Sequence, residues 1–170
     1  MQIFKGQQVI RYVVTFLLGV YFLLHALNPG EWIFLSYVNL IIHEAGHVFF
    51  LFFGDVLQAL GGSIFQILIP ATFVYYFWRK NERWSASLLL FWLGESILEV
   101  SQYILDAQKM NMDLLGGEAV IHDWNFILTN LSLLEYTDPI GNLFYTISIL
   151  VTISAIILGV FTASGQNPRI

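Results

Sequence analysis

Five apolar stretches, at residues 9–27, 32–53, 63–78, 84–105 and 139–161, leave this chain few ways to fold. Each is bounded by polar or turn-forming residues, and most are long enough to cross a bilayer as a helix. In hydrocarbon, backbone N–H and C=O groups must be satisfied within the segment, which for runs of this length means α-helix. Composition points the same way: 57% of the 170 residues are hydrophobic and 11% are charged, where a soluble domain carries about 25% charged residues. The expected fold is all-α, a polytopic membrane helical bundle of about five transmembrane helices. It forms a single integral membrane domain over 1–170, placed in a plasma or inner membrane. Residues 125–134 are apolar but too short to span, and are expected to lie at the interface or re-enter. The 63–78 stretch is the shortest of the five and contains Pro70, which kinks a helix unless neighbours satisfy the freed carbonyl. Gly61-Gly62, just before it, reads as a flexible point where the chain can reverse or its backbone can approach another group closely.

Several function classes fall away. The chain has no cysteine, so disulfides, thiolate metal sites and a thiol nucleophile are all excluded, and any metal must be held by His, Asp or Glu. A net charge of −5 does not suit nucleic acid, and no run of Lys and Arg offers a polybasic patch for lipid headgroups. The first apolar stretch lacks a small-residue cleavage site and is expected to be a retained helix.

The ionisable residues inside apolar segments are the functional candidates, because charge in hydrocarbon is costly. His43-Glu44-Ala45-Gly46-His47 lies within the 32–53 stretch. Two histidines four residues apart share a helix face, and a Glu beside the first is placed to act on a water held by a metal they share. Glu95 and Glu99 repeat the four-residue spacing within 84–105. His122-Asp123 follows Gly116-Gly117 in the polar stretch after that segment and precedes Trp124, an interfacial anchor by type. A catalytic zinc takes three protein ligands and a water. His43 and His47 supply two, and the third is expected from His122 or Asp123 ahead of Glu95 or Glu99. His25, at the end of the first stretch, is expected to cap or snorkel.

At HExxH the sequence resembles the site-2 protease family of intramembrane metalloproteases, which carry this motif on a membrane helix. The resemblance covers the 32–53 helix. It implies Zn2+ as cofactor, His43 and His47 as ligands, Glu44 as general base, and a peptide bond in or near a transmembrane helix as substrate. The family's third ligand is an Asp in an LDG context, which this chain lacks; Asp138-Pro139-Ile140-Gly141-Asn142 is a loose echo. Glu95 and Glu99 are similar in setting to the second-helix Glu that completes HExxH in gluzincin-type metalloproteases.

The expected function is therefore a membrane-embedded zinc-dependent hydrolase, with the bilayer and a transmembrane peptide or lipid-like substrate as partners. A metal-ion or proton transporter and a diiron-type membrane oxidase can be built from the same His/Glu cluster. Five crossings would place Asp55, Asp106, Asp113, Glu118, His122, Asp123, Glu135 and Asp138 on one face, where the site would open. Arg79, Lys80, Arg83 and Arg169 would lie on the other, with Lys5, Arg11 and Lys109 opposite them. The positive-inside rule then favours an outside N-terminus, an inside C-terminus and a site open to the non-cytoplasmic side.

Overall fold

The computed structural model describes residues 2–112 and 121–164. Asp113, Gly116, Gly117, Glu118 and Arg169 lie outside the described residues. The chain is a helical membrane bundle of α1 (Gln2–Leu27), α2 (Phe34–Phe49), α3 (Asp55–Arg79), α4 (Arg83–Leu105), α5 (Asp123–Asn130) and α6 (Thr137–Ala163), the last entered through a 3-10 turn at Leu134–Tyr136. Four helical stretches are long and apolar enough to cross a membrane: Lys5–Leu27, Asp55–Arg79, Arg83–Leu105 and Leu134–Ala163. Their outward faces expose Phe16, Leu24, Leu68 and Phe161, as a surface solvated by lipid would.

The helix bearing the HExxH motif is shorter than its apolar run. α2 stops at Phe49, and the chain reverses at Gly54, whose φ of 90° is open to glycine at little cost. Of the two roles expected for Gly61-Gly62, reversal and close approach, the structure has the second; both residues lie inside α3 and are buried. Their role is close approach. A Cβ on Gly46 would fall on the Gly61 carbonyl, and one on Gly62 would fall on the His43 ring. Small residues let membrane helices come together in this way, where no hydrophobic force separates protein from lipid tails. α3 is thus 25 residues long and runs unbroken through the buried Pro70.

Helix directions follow from who meets whom. Thr15, Phe22 and His25 of α1 contact Trp84, Phe91 and Glu95 of α4 in the same order. Asn39 of α2 meets Trp92 and Ser96, and His43 meets Tyr103. α1, α2 and α4 therefore run parallel, and the 28–33 connection steps back along the bundle so that α2 begins partway up it. α2 adds no reversal of its own. The Gln8 side chain donates to the Ser164 carbonyl (2.8 Å) just past α6, so α1 begins on the face where α6 ends. Of the about five expected spans, the 32–53 one forms a helix too short to be counted among the four long apolar helices, and Lys5 and Arg11 lie with Arg79, Lys80 and Arg83 on one face.

α4 is the central helix and packs chiefly on α6 and α3. α6 meets it along a stripe of small residues, including Gly141, Ser148, Thr152, Ala155 and Gly159, whose spacing keeps them on one side of a helix. Gly94 of α4 would collide with Thr152 if it carried a Cβ. The short segment expected to lie at the interface or re-enter forms α5, which is docked on the bundle. In α5 Ile127 and Leu128 pack with Val100, Ile104 and Ala107. Trp124 is no interfacial anchor: it is buried and its indole N–H donates to Ser63 Oγ (3.0 Å).

Candidate metal centre

The HExxH face of α2 is turned toward the start of α3, and each imidazole is fixed there through its Nδ1. His47 Nδ1 lies 2.8 Å from the Gln58 backbone carbonyl. A carbonyl only accepts, so Nδ1 carries the hydrogen. His43 Nδ1 lies 2.9 Å from Gln66 Oε1. The Gln66 amide nitrogen donates to Glu99 Oε2 (2.8 Å), which leaves its oxygen for His43, so this Nδ1 is again the donor. In both neutral rings the lone pair sits on Nε2. An oxygen behind a histidine that sets its tautomer is the arrangement found around metal-ligating imidazoles.

Both Nε2 atoms face one carboxylate. His43 Nε2 and His47 Nε2 each lie 3.2 Å from Asp123 Oδ2, and the three ligand atoms fall within 4.8 Å of one another. Three acceptors converging on one point repel unless a cation lies among them. Protons on the imidazoles or a single metal ion would serve. For bonds of about 2.0 Å a tetrahedron has an edge of about 3.3 Å, close to both Nε2–Oδ2 separations, while the three atoms together spread over as much as 4.8 Å and would draw inward to share one zinc ion.

α5 delivers Asp123 because its N-terminus is tied from three sides. His122 caps it, its Nδ1 accepting from Asn125 N–H (3.2 Å), while the Asn125 side chain donates to the Ala107 carbonyl (2.8 Å) and Trp124 holds α3. The Tyr103 hydroxyl accepts from Asp123 N–H (3.1 Å) and donates to Asp123 Oδ2 (3.2 Å). Burial alone would raise the Asp123 pKa; with protons on the two Nε2 atoms in place of a metal, hydrogen bonds from His43 and His47 and the charge of the imidazoles outweigh it and hold the group at about 2. Asp123 is a carboxylate at any physiological pH.

Not every expected site residue arrives. His122 turns away from the cluster. Its Nδ1 is taken by the cap and its Nε2 lies 3.3 Å from Asp106 Oδ2, and burial lowers its pKa against the opposing pull of Asp106. The reason is positional: the N-cap side chain folds back over the helix end, while the next residue points into the cleft. Glu95 pairs with His25 at 3.0 Å inside the bundle, so His25 neither caps nor snorkels. Glu99 accepts from Asn39 (2.7 Å) and Gln66. Neither glutamate reaches the imidazoles, although Glu99 supports His43 through Gln66. Asp138 is exposed at the start of α6. Glu44 is exposed on α2, near enough for its charge to be felt at His47 and Tyr103.

Depth also changes. His47 is two residues from the end of α2, about 3 Å along the axis, and the cluster lies near the surface of the bundle and not far inside it. Gln66 and Tyr103, missed in the sequence, are ordinary helix residues there. Only their polarity within apolar stretches offered a signal. The Gln58 contact is a backbone carbonyl and offered none. No protein-family model, no curated protein and no solved structure matches the chain.

Proposed function

We propose that the chain is a membrane-embedded zinc-dependent hydrolase, an intramembrane metalloprotease in which His43, His47 and Asp123 hold the metal and Glu44 is the general base. The observation that carries this reading is the convergence of two Nε2 lone pairs and one carboxylate oxygen, with both imidazole tautomers fixed from behind. When bound, zinc would supply Lewis acidity toward a substrate carbonyl and a water. Glu44 takes up a proton on its carboxylate and returns it to the leaving amine. Tyr103 holds Asp123, and Gln66 and the Gln58 carbonyl hold the rings.

Substrate access is supported by the surface of α2. Ile41, Glu44, Ala45 and Val48 form an exposed stripe at helical spacing, so the carboxylate opens laterally on a lipid-facing surface. A carboxylate there is costly unless it has work to do, and a transmembrane peptide can approach it within the plane of the bilayer. Five described basic residues, Lys5, Arg11, Arg79, Lys80 and Arg83, lie on the face opposite the cluster, against Lys109 on its own. By the positive-inside rule the cluster opens away from the cytoplasm.

The test is metal analysis of the purified protein beside Glu44→Gln. About one zinc is expected in each, with proteolysis of a transmembrane peptide in proteoliposomes reduced about 10²–10⁴-fold in the variant. An active Glu44→Gln would sink the hydrolase. A second reading, metal or proton transport, draws on the buried polar groups His25, Glu95, Glu99, Asn39 and Gln66 that lead from the bundle interior to His43. It predicts ion flux in proteoliposomes and tolerance of Glu44→Gln. The diiron oxidase has less support, because Glu95 and Glu99 bond elsewhere.

A further inference from the structure

At the end of the bundle opposite the metal centre, a cavity of about 330 Å3 lies between α1, the α3–α4 turn and the end of α6. Arg11 and Arg83, distant in sequence, both line it, together with Ser85 and Thr162. Neither guanidinium has a carboxylate partner among the described residues. Arg11 sits over the Trp84 ring, 5.2 Å from its centroid, and Arg83 over Trp78 at 3.7 Å. Arg83 Nη2 reaches Asn81 only at 3.5 Å, while its Nε and Nη1 are shielded from solvent and have no hydrogen-bond partner among the described residues. Leaving buried charged donors unmatched is costly, so the site lacks an acceptor that belongs to it.

The backbone adds to the same demand. Arg83 opens α4, and the N-cap residue Glu82 makes no side-chain cap, so the first-turn N–H groups contribute further positive potential beside a cation. Glu82, the one acid lining the cavity, accepts from Ser85 Oγ at 3.3 Å. An anion with several acceptor oxygens would answer both arginines and the helix end together.

We propose that this cavity binds the phosphate headgroup of an anionic phospholipid. Trp78 and Trp84, under the two guanidinium groups, are residues of the membrane interface. Ile10, Phe16 and Phe161, on the two helices that wall the cavity, are exposed apolar surface on which acyl chains can lie. The other basic residues of this end of the bundle, Lys5, Arg79 and Lys80, lie outside the cavity lining, and a basic end suits the anionic cytoplasmic leaflet. The arginines are remote in sequence, so no polybasic run announces the site.

Lipid retention tests this. The full chain in detergent is supplied with phosphatidylglycerol or phosphatidylcholine, and bound lipid is counted by native mass spectrometry. Wild type should retain one phosphatidylglycerol in preference to phosphatidylcholine, and Arg11→Gln or Arg83→Gln should each lower that retention about fivefold. Ser85→Phe, which fills the cavity and keeps both arginines, should lower it too, while Lys80→Gln should not. Circular dichroism and a monodisperse elution peak establish that each variant is folded. Retention unchanged in folded Arg11→Gln, Arg83→Gln and Ser85→Phe would overturn the proposal. So would an equal loss in Lys80→Gln, which would mean a diffuse surface charge. Inorganic phosphate that displaces the lipid and stabilises the protein equally well on its own would assign the cavity to a free anion and overturn the lipid.

Discussion

Replacing Gly62 by alanine tests the candidate centre without touching a ligand. The added Cβ would lie 2.5 Å from His43 Cδ2 and 2.7 Å from Cε1, where carbon atoms need about 3.5 Å. The shortfall is about 1 Å. The helices cannot easily part to make room, because Gly46 already lies against Gly61 at their closest approach, so the imidazole must move off its rotamer or the pair must separate. Overpacking of this kind costs about 1–3 kcal/mol. A metal tolerates about 0.2 Å in its ligand distances, so a displaced His43 should weaken metal binding at least as much as the loss of a supporting hydrogen bond does, about 10–100-fold. The assay is a chelator competition titration in detergent, run beside thermal unfolding. Gly30→Ala, where a Cβ meets nothing within 4 Å, is the control and should match wild type in both. A folded Gly62→Ala protein with wild-type metal affinity would refute the placement of His43.

Asp123→Asn keeps the shape of the side chain but halves its acceptor strength. It should release metal more readily than Glu95→Gln or Glu99→Gln, as read by metal content after dialysis; the reverse order would move the third ligand onto α4. His122→Ala removes the α5 cap and should cost about 1 kcal/mol of stability while metal content stays near wild type; loss of metal with unchanged stability would return His122 to the ligand set. Single cysteines in this cysteine-free chain read the topology: Met112→Cys should label from outside the cell, and Gln7→Cys and Asn81→Cys should both be protected. Labelling of Gln7→Cys from outside would restore five crossings.

The bundle was legible because backbone satisfaction in lipid permits little else once the apolar runs are long. The His43–His47 pair was legible because one helix turn fixes its geometry locally. What the sequence left open depended on rotation and offset between elements. Choosing Asp123 over its neighbour His122 requires knowing which of the two caps α5. Placing Glu95 and Glu99 away from the imidazoles requires the rotation of α4 against α1 and α3, and their spacing says nothing about it. Gly61-Gly62 leaves a turn and a close helix contact both open, because glycine serves either; the deciding fact is Gly46, on another helix. The place of the 32–53 stretch was not legible because α2 follows α1 without reversing, which no hydropathy profile records.

The shortness of α2 has a consequence for the lipid around it. Sixteen residues give about 24 Å of helix, whereas the 25 residues of α3 give about 37 Å and a hydrocarbon core is about 30 Å thick. Lipid that matches α3 and α4 on one side of the molecule would meet a hydrophobic mismatch wherever α2 alone faces it, and thinning is one way to relieve it. Thinning draws headgroups and water down toward His47 and Glu44. It also leaves a neighbouring transmembrane helix too long for its surroundings, so that its end is pushed into a wetter layer where its backbone hydrogen bonds open at lower cost. The membrane deformation beside α2 would then supply both the water and the unwound peptide that the proposed hydrolysis requires.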